Sequence, residues 1–142
     1  YDRDVTKFSI DEMVGSLSRL SVLDIIEKIT LFMDVTYVNP EESSGLLWDY
    51  PDFPEKISIL SSNSNGETSQ LFNDKKHSFF TYSLLKGLSG NADDGDNIID
   101  LGEITEYVYK SVPENIRNQP GSLKQNPKFN GLDLKRILLD LR

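Results

Sequence analysis

The chain has 142 residues, with Lys+Arg 15 against Asp+Glu 23, a net charge of −8, and 37% hydrophobic residues. That suits one folded domain and is too apolar for a disordered acidic tail. The acidic balance lacks the basic face that nucleic-acid phosphates require, no apolar run reaches the roughly 20 residues of a membrane helix, and with no cysteine there is no disulfide, thiolate metal site or cysteine nucleophile in the chain.

Tyr1-Asp2-Arg3-Asp4 reads like the middle of a domain. Ser9 and Glu12 then form a capping box, with Phe8 and Met13 as hydrophobic staple. Ile10, Met13, Val14, Leu17 and Leu20 follow helical spacing, which predicts a helix over about 10–21. Ile29-Thr30-Leu31-Phe32-Met33 shows no alternation and reads as a strand buried on both faces of a mostly parallel sheet, ending at Asp34. Residues 39–55, rich in proline, acidic residues and serine, form a long loop carrying the aromatic cluster Trp48, Tyr50 and Phe53. Ile57-Ser58-Ile59-Leu60-Ser61 is a second strand, followed by a polar loop from Ser62 to Ser69.

A largely buried helix is predicted over about 77–88, because Phe79, Phe80, Leu84, Leu85 and Leu88 cover more than one face, with Gly87 and Gly90 at its end. An Asp/Asn/Gly loop over 91–100 leads to a helix at about 103–112, with Ile104, Tyr107, Val108 and Val112 on one stripe. Pro120-Gly121 and Asn126-Pro127 punctuate a loop. Residues 136–141 form a last strand or a short helix. Buried strands mixed with helices make this a layered α/β fold. No signal-peptide pattern opens the chain, so a soluble protein is expected, with the cytoplasm the favoured compartment; the lack of cysteine suits either redox environment.

The Asp-rich loop can be set against calcium-loop geometry, which needs oxygen ligands at positions 1, 3, 5, 7 and 9 and a Glu at 12. With Glu103 at the twelfth position, Asp94, Asp96, the Ile98 carbonyl and Asp100 fall at the third, fifth, seventh and ninth. Asn97 takes the glycine position, whose left-handed conformation it tolerates. Ala92 falls at the first position and cannot ligate, so calcium stands beside a second reading: an acidic turn whose Glu103 complements a helix N-terminus. No other cofactor is expected.

The order of these signals resembles bacterial caspase-like peptidases. The stretch Lys75-Lys76-His77-Ser78-Phe79-Phe80-Thr81-Tyr82-Ser83-Leu84-Leu85-Lys86-Gly87-Leu88 is similar to the family's His-x-x-Phe-Thr-Tyr helix, preceded by a strand and Ser-rich loop that Ile59-Leu60-Ser61-Ser62-Asn63 and Glu67-Thr68-Ser69 match. Leu101-Gly102-Glu103-Ile104, Gln125-Asn126-Pro127-Lys128-Phe129-Asn130-Gly131 and, at the start, Tyr1-Asp2 and Ser9-Ile10-Asp11-Glu12 also fit. The likeness runs in order over nearly the whole chain.

The resemblance implies a three-layer caspase-like fold, a mostly parallel sheet flanked by helices, of which residues 1–142 form a part lacking the N-terminal strands. It also implies a Cys–His dyad. The family's nucleophile strand ends in Asp-Ala-Cys-aromatic; here Asp34-Val35-Thr36-Tyr37 stands in its place, with Thr36 at the nucleophile position. The family's catalytic His precedes the segment matching Tyr1, so no intact catalytic residue is expected. An internal threonine hydroxyl is a poor nucleophile without a base, which leaves Thr36 as a β-branched strand end or paired with His77 as base.

In metacaspase-like relatives the residue matching Asp34 helps form an acidic pocket for an Arg or Lys side chain; the alternative is a carboxylate that caps a turn. Glu67 either adds charge to that pocket or is a solvated surface residue. The aromatic cluster, in the region matching the family's processing linker, either covers the site or packs locally. The expectation is therefore a degenerate caspase-like domain without proteolytic activity, binding a peptide or protein with basic residues, or regulating a homologous active subunit. Two alternatives stand beside it: part of a cysteine-type endopeptidase whose other half lies upstream, and a calcium-responsive binding module. Neither nucleic acid nor membrane is expected as a partner.

Overall fold

The computed structural model of the chain describes residues 10–35, 54–64, 66–119, 121 and 123–142, with side chains from Glu12 onward. Helix α1 (Ile10–Ser21) is followed by β1 (Ile29–Met33) and β2 (Ile57–Ser61). A short hairpin of β3 (Leu71–Phe72) and β4 (His77–Ser78) leads into α2 (Phe79–Lys86), then β5 (Ile98–Asp100), α3 (Leu101–Arg117), β6 (Lys128–Asn130) and β7 (Ile137–Asp140). Ser9 of the expected capping box, Phe8 of the staple, Thr36, and the Trp48, Tyr50 and Phe53 cluster lie outside the described residues.

The main sheet runs in the order β1-β2-β6. β1 and β2 are parallel, with Leu31 opposite Ile59, and β6 is antiparallel to β2, with Phe129 opposite Leu60. The chain is thus an α/β fold with a mixed sheet. This corrects the expectation of a mostly parallel sheet: among the described residues only β1 and β2 pair in parallel, and the β3–β4 and β5–β7 pairs are antiparallel. A parallel neighbour needs a long crossover, whereas β6 returns from the loop after α3 in the opposite sense.

Strand alternation sorts the two faces of this sheet. Ile57 and Ile59, with Ile29, Leu31 and Met33, pack against Met13, Val14 and Leu17 of α1. Leu60, with Phe32 and Phe129, turns the other way into a larger cluster with Phe79, Phe80 and Leu84 of α2 and Ile104, Val108, Val112 and Ile116 of α3. Helices therefore cover both faces. The fully buried side chains among them, such as Ile57, Ile59, Leu60, Phe79, Ile104 and Val108, each contribute about 1.5–3 kcal/mol of transfer free energy. Every residue of β2 is buried, as a central strand requires. β1 is only half-buried along its length, against the expectation, because it forms an edge of the sheet among the described residues.

The helices depart from their predicted bounds for local reasons. α2 begins at Phe79 rather than at His77, because Ser78 is its N-cap and His77 pairs in β4. A π-type turn over Gly87–Asn91 continues it, turning at Gly90 with φ 102°, a left-handed value natural to glycine. α3 starts at Leu101, where Asp100 and Glu103 form a capping box, and runs through Pro113 to Arg117. Proline removes one backbone donor there, yet burial of Val112 and Ile116 on the same stripe carries the helix on. The last segment is a strand, β7, paired with β5 through a register shift beside Ile99 and Asp100.

Candidate functional site

Ligand sites of open α/β sheets gather at the carboxyl ends of parallel strands. At that edge stand Asp34 and Val35 after β1, the loop from Ser62 to Gln70 after β2, the N-terminus of α2, and the segment Leu123–Pro127 before β6.

The Asp34 carboxylate is exposed and held by three hydroxyls. Ser69 donates to Oδ1 at 2.5 Å, Thr81 donates to Oδ2 at 2.6 Å, and the Ser78 hydroxyl donates to Oδ2 as well. Ser78 also accepts the Thr81 backbone N–H at 2.9 Å as the cap of α2. Asp34 therefore joins the end of β1 to the start of α2, where the helix dipole favours a negative charge. A carboxylate offers about four acceptor positions. Three hydroxyls leave capacity on Oδ1 for an incoming donor.

Behind Asp34 lies a buried polar network. The Ser62 hydroxyl bonds the Val35 carbonyl at 3.2 Å and Asn63 Oδ1 at 2.6 Å, and Asn63 Nδ2 donates to the Glu67 carbonyl at 2.7 Å. Gln125, 1% exposed, accepts from the Gln70 N–H at 3.0 Å and donates to the Ser62 carbonyl at 2.9 Å. The Gln70 side chain in turn accepts from the Leu123 N–H at 2.8 Å. Glu67 is not the solvated surface residue that was one of its two readings. Its side chain is 13% exposed and its carboxylate accepts from the Asn126 N–H at 2.6 Å and Asn126 Nδ2 at 2.5 Å, clamping the two loops together. Buried amides and carboxylates that are satisfied in this way rigidify the loops that carry them.

Of the residues singled out by sequence, the structure places Asp34 at the strand end. His77 is exposed on β4, and Thr36 lies outside the described residues. Ser69, Ser78, Thr81, Gln70 and Gln125 were not singled out as site residues by sequence. Ser78 carried a usable signal, a serine directly before an apolar helical run. The two glutamines carried none, since their role depends on a contact between loops far apart in the chain.

The Asp-rich loop is built from its own backbone. Asp93 accepts the Gly95 and Asn97 N–H groups, and Asp96 accepts that of Ile98. Both Glu103 oxygens are engaged, with the Asp94 N–H at 2.9 Å and the Asp100 N–H at 2.8 Å. Asp100 caps α3 and pairs with Lys135 at 3.1 Å. Burial pushes the Asp100 carboxyl up, but the Glu103 N–H and the Lys135 ammonium outweigh it and hold its pKa below 3.8. The carboxylates that do converge are those of Asp93, Asp94 and Asp96, with oxygens within 4.8 Å of one another. Asn97, at the glycine position, has φ 64°.

Comparisons with protein-family models, with curated proteins and with solved structures gave no match. Among the described residues no helix is long and apolar enough to cross a membrane.

Proposed function

We propose that the chain is a degenerate caspase-like domain that binds a basic peptide segment at Asp34 without cleaving it. The observation that carries this reading is the Asp34 carboxylate, exposed at the end of β1 and oriented by Ser69, Ser78 and Thr81. Guanidinium binds such a carboxylate through charge-assisted, directional hydrogen bonds. Helices on both faces of the sheet, a parallel β1–β2 pair and an antiparallel β6 support a caspase-like, three-layer arrangement. Sequence adds the threonine at the nucleophile position, so recognition without turnover is the function this reading assigns. Its partner is a protein with exposed Arg or Lys, or an active relative that it regulates.

Calorimetric titration of an Arg-centred peptide and its Asp-centred counterpart tests this. The Arg peptide should bind the wild type at least tenfold more tightly, and Asp34→Asn should remove the difference. Equal affinities, or no loss on mutation, would leave Asp34 as a structural tie alone.

A second reading has one observation behind it. The outer edge of β1 carries no strand among the described residues, which is the edge where further strands of a larger caspase-like domain would add. Under this reading the chain is part of an endopeptidase whose other half lies upstream. Mixing the chain with a polypeptide of the upstream residues tests it: a stable complex with peptidase activity supports it, and absence of a complex overturns it.

A further inference from the structure

The two oxygens of the Asp34 carboxylate are unevenly occupied. Oδ2 accepts from the Ser78 and Thr81 hydroxyls, whereas Oδ1 accepts from Ser69 alone among the described residues. Chemistry fixes the direction of these bonds. An ionised carboxylate only accepts, and the Ser78 oxygen already receives the Thr81 N–H at 2.9 Å, so the Ser78 proton goes to Asp34. Each carboxylate oxygen has about two acceptor positions. Oδ2 is therefore full, and the position that remains is on Oδ1. Both donors to Oδ2 belong to the packed start of α2, where Ser78 is buried and Thr81 half-buried, while Asp34 itself is exposed.

We propose that this carboxylate selects a lysine side chain over an arginine. A guanidinium gains its advantage over an ammonium from the paired, fork-to-fork contact, which needs one free position on each carboxylate oxygen. With Oδ2 full, that contact requires displacing Thr81 or Ser78, the cap of α2. An arginine is then held to one bond, and its planar fork has no second acceptor. An ammonium is a compact charge with three rotatable donors. One meets Oδ1, and a second turns to the Ser69 oxygen, which lies 2.5 Å from Oδ1 and keeps lone pairs of its own after donating its proton. The third stays in water at this exposed position. The partner is thus a segment with an accessible lysine, and acetylation of that lysine removes the charge that binds. The selectivity rests on Asp34 being the recognition carboxylate of the function proposed above.

The test is a ¹⁵N-correlation titration of the whole chain with peptides of the form acetyl-Gly-Ser-Gly-X-Gly-Ser-Gly-amide, in which X is lysine, arginine or Nε-acetyl-lysine. The lysine peptide should shift the amides of Asp34, Ser69 and Thr81 and bind about fivefold more tightly than the arginine peptide. The acetylated peptide should not bind, and Asp34→Asn should abolish binding of both charged peptides. Thr81→Val takes one donor from Oδ2 and spares the cap, so it should tighten the arginine peptide about fivefold and leave the lysine peptide unchanged. Equal affinities in the wild type, or tighter binding of arginine, would overturn the selectivity while leaving Asp34 its role in recognition; that comparison needs no variant. Thr81→Val acting alike on both peptides would do the same. Binding of neither charged peptide, or binding indifferent to Asp34→Asn, would overturn the recognition reading and the selectivity together.

Discussion

The Ser78 hydroxyl donates its proton to Asp34 and accepts the Thr81 N–H at 2.9 Å, so one side chain is both the cap of α2 and the link from that helix to β1. The carboxylate polarises the hydroxyl, which makes the oxygen a stronger acceptor for the helix amide.

Ser78→Ala removes the cap and a donor to a charged acceptor together. A loss of about 1–3 kcal/mol is expected, and Thr81→Val should cost less because it spares the cap. Urea unfolding checks both. A change below about 0.5 kcal/mol for Ser78→Ala would mean that water replaces the hydroxyl at no cost.

Stability should fall in acid through Asp100. Its folded pKa lies below the ordinary 3.8, so its ionised form stabilises the native state. That contribution is complete above the unfolded value and disappears as pH drops through the folded one. Asn still caps a helix, so Asp100→Asn isolates the charge. Melting curves from pH 7 to 2.5 should show a constant deficit of the variant at neutral pH that closes below about pH 4. A deficit that persists at the lowest pH would assign the effect to geometry.

The two readings of Glu103, calcium ligand and helix cap, differ in how its removal should respond to calcium. Because both its oxygens already accept backbone amides, Glu103→Ala should destabilise the chain by about 1–2 kcal/mol in chelator and in millimolar calcium alike. Destabilisation seen only in calcium would restore the ligand role.

Gly131 crosses β2 too closely for any side chain. A Cβ there would lie 2.4 Å from the Ser58 Oγ and 2.9 Å from its Cα. Gly131→Ala should cost about 1–3 kcal/mol by overpacking, and Ser58→Gly should recover part of it. Thermal unfolding of the single and double variants reads the coupling directly.

Peptides with Arg, Lys or Asp before the scissile bond should remain uncut by the wild type. A threonine inside a chain has neither the thiolate nor the terminal amine that activates such a nucleophile. Turnover that disappears in Thr36→Ala would contradict this.

Elements whose hydrophobic period is long were legible from the residues. The stripe of Met13, Val14 and Leu17, the apolar runs of β1 and β2, and the α3 stripe all lie where the pattern put them. β6 was not legible, because Lys128-Phe129-Asn130 follows a proline, holds one apolar residue, and is a strand only through its pairing with β2. The half-burial of β1 escaped for a related reason: an apolar run reports that a strand is apolar, while its neighbours decide how much of it is covered. At the site, Asp34 was identifiable as a carboxylate at a strand end. Its hydroxyl partners come from positions 35 to 47 residues away, a separation at which no local periodicity carries information.

Tyr109 stands at the other margin of the sheet. Its phenol accepts the Phe129 N–H at 2.6 Å, and burial raises its pKa above 10.0, more than the bond from Phe129 lowers it, which keeps it in the neutral form. An outward amide of an edge strand is ordinarily an invitation to another chain. Here the invitation is withdrawn from within: α3 lends a side chain to the rim of β6 and consumes the donor. The sheet is therefore polar in its capacity for growth, plugged beside β6 and open beside β1 among the described residues. Among the described residues, an added strand, whether from the same polypeptide or from another molecule, would meet an occupied amide beside β6 and an unpaired edge beside β1.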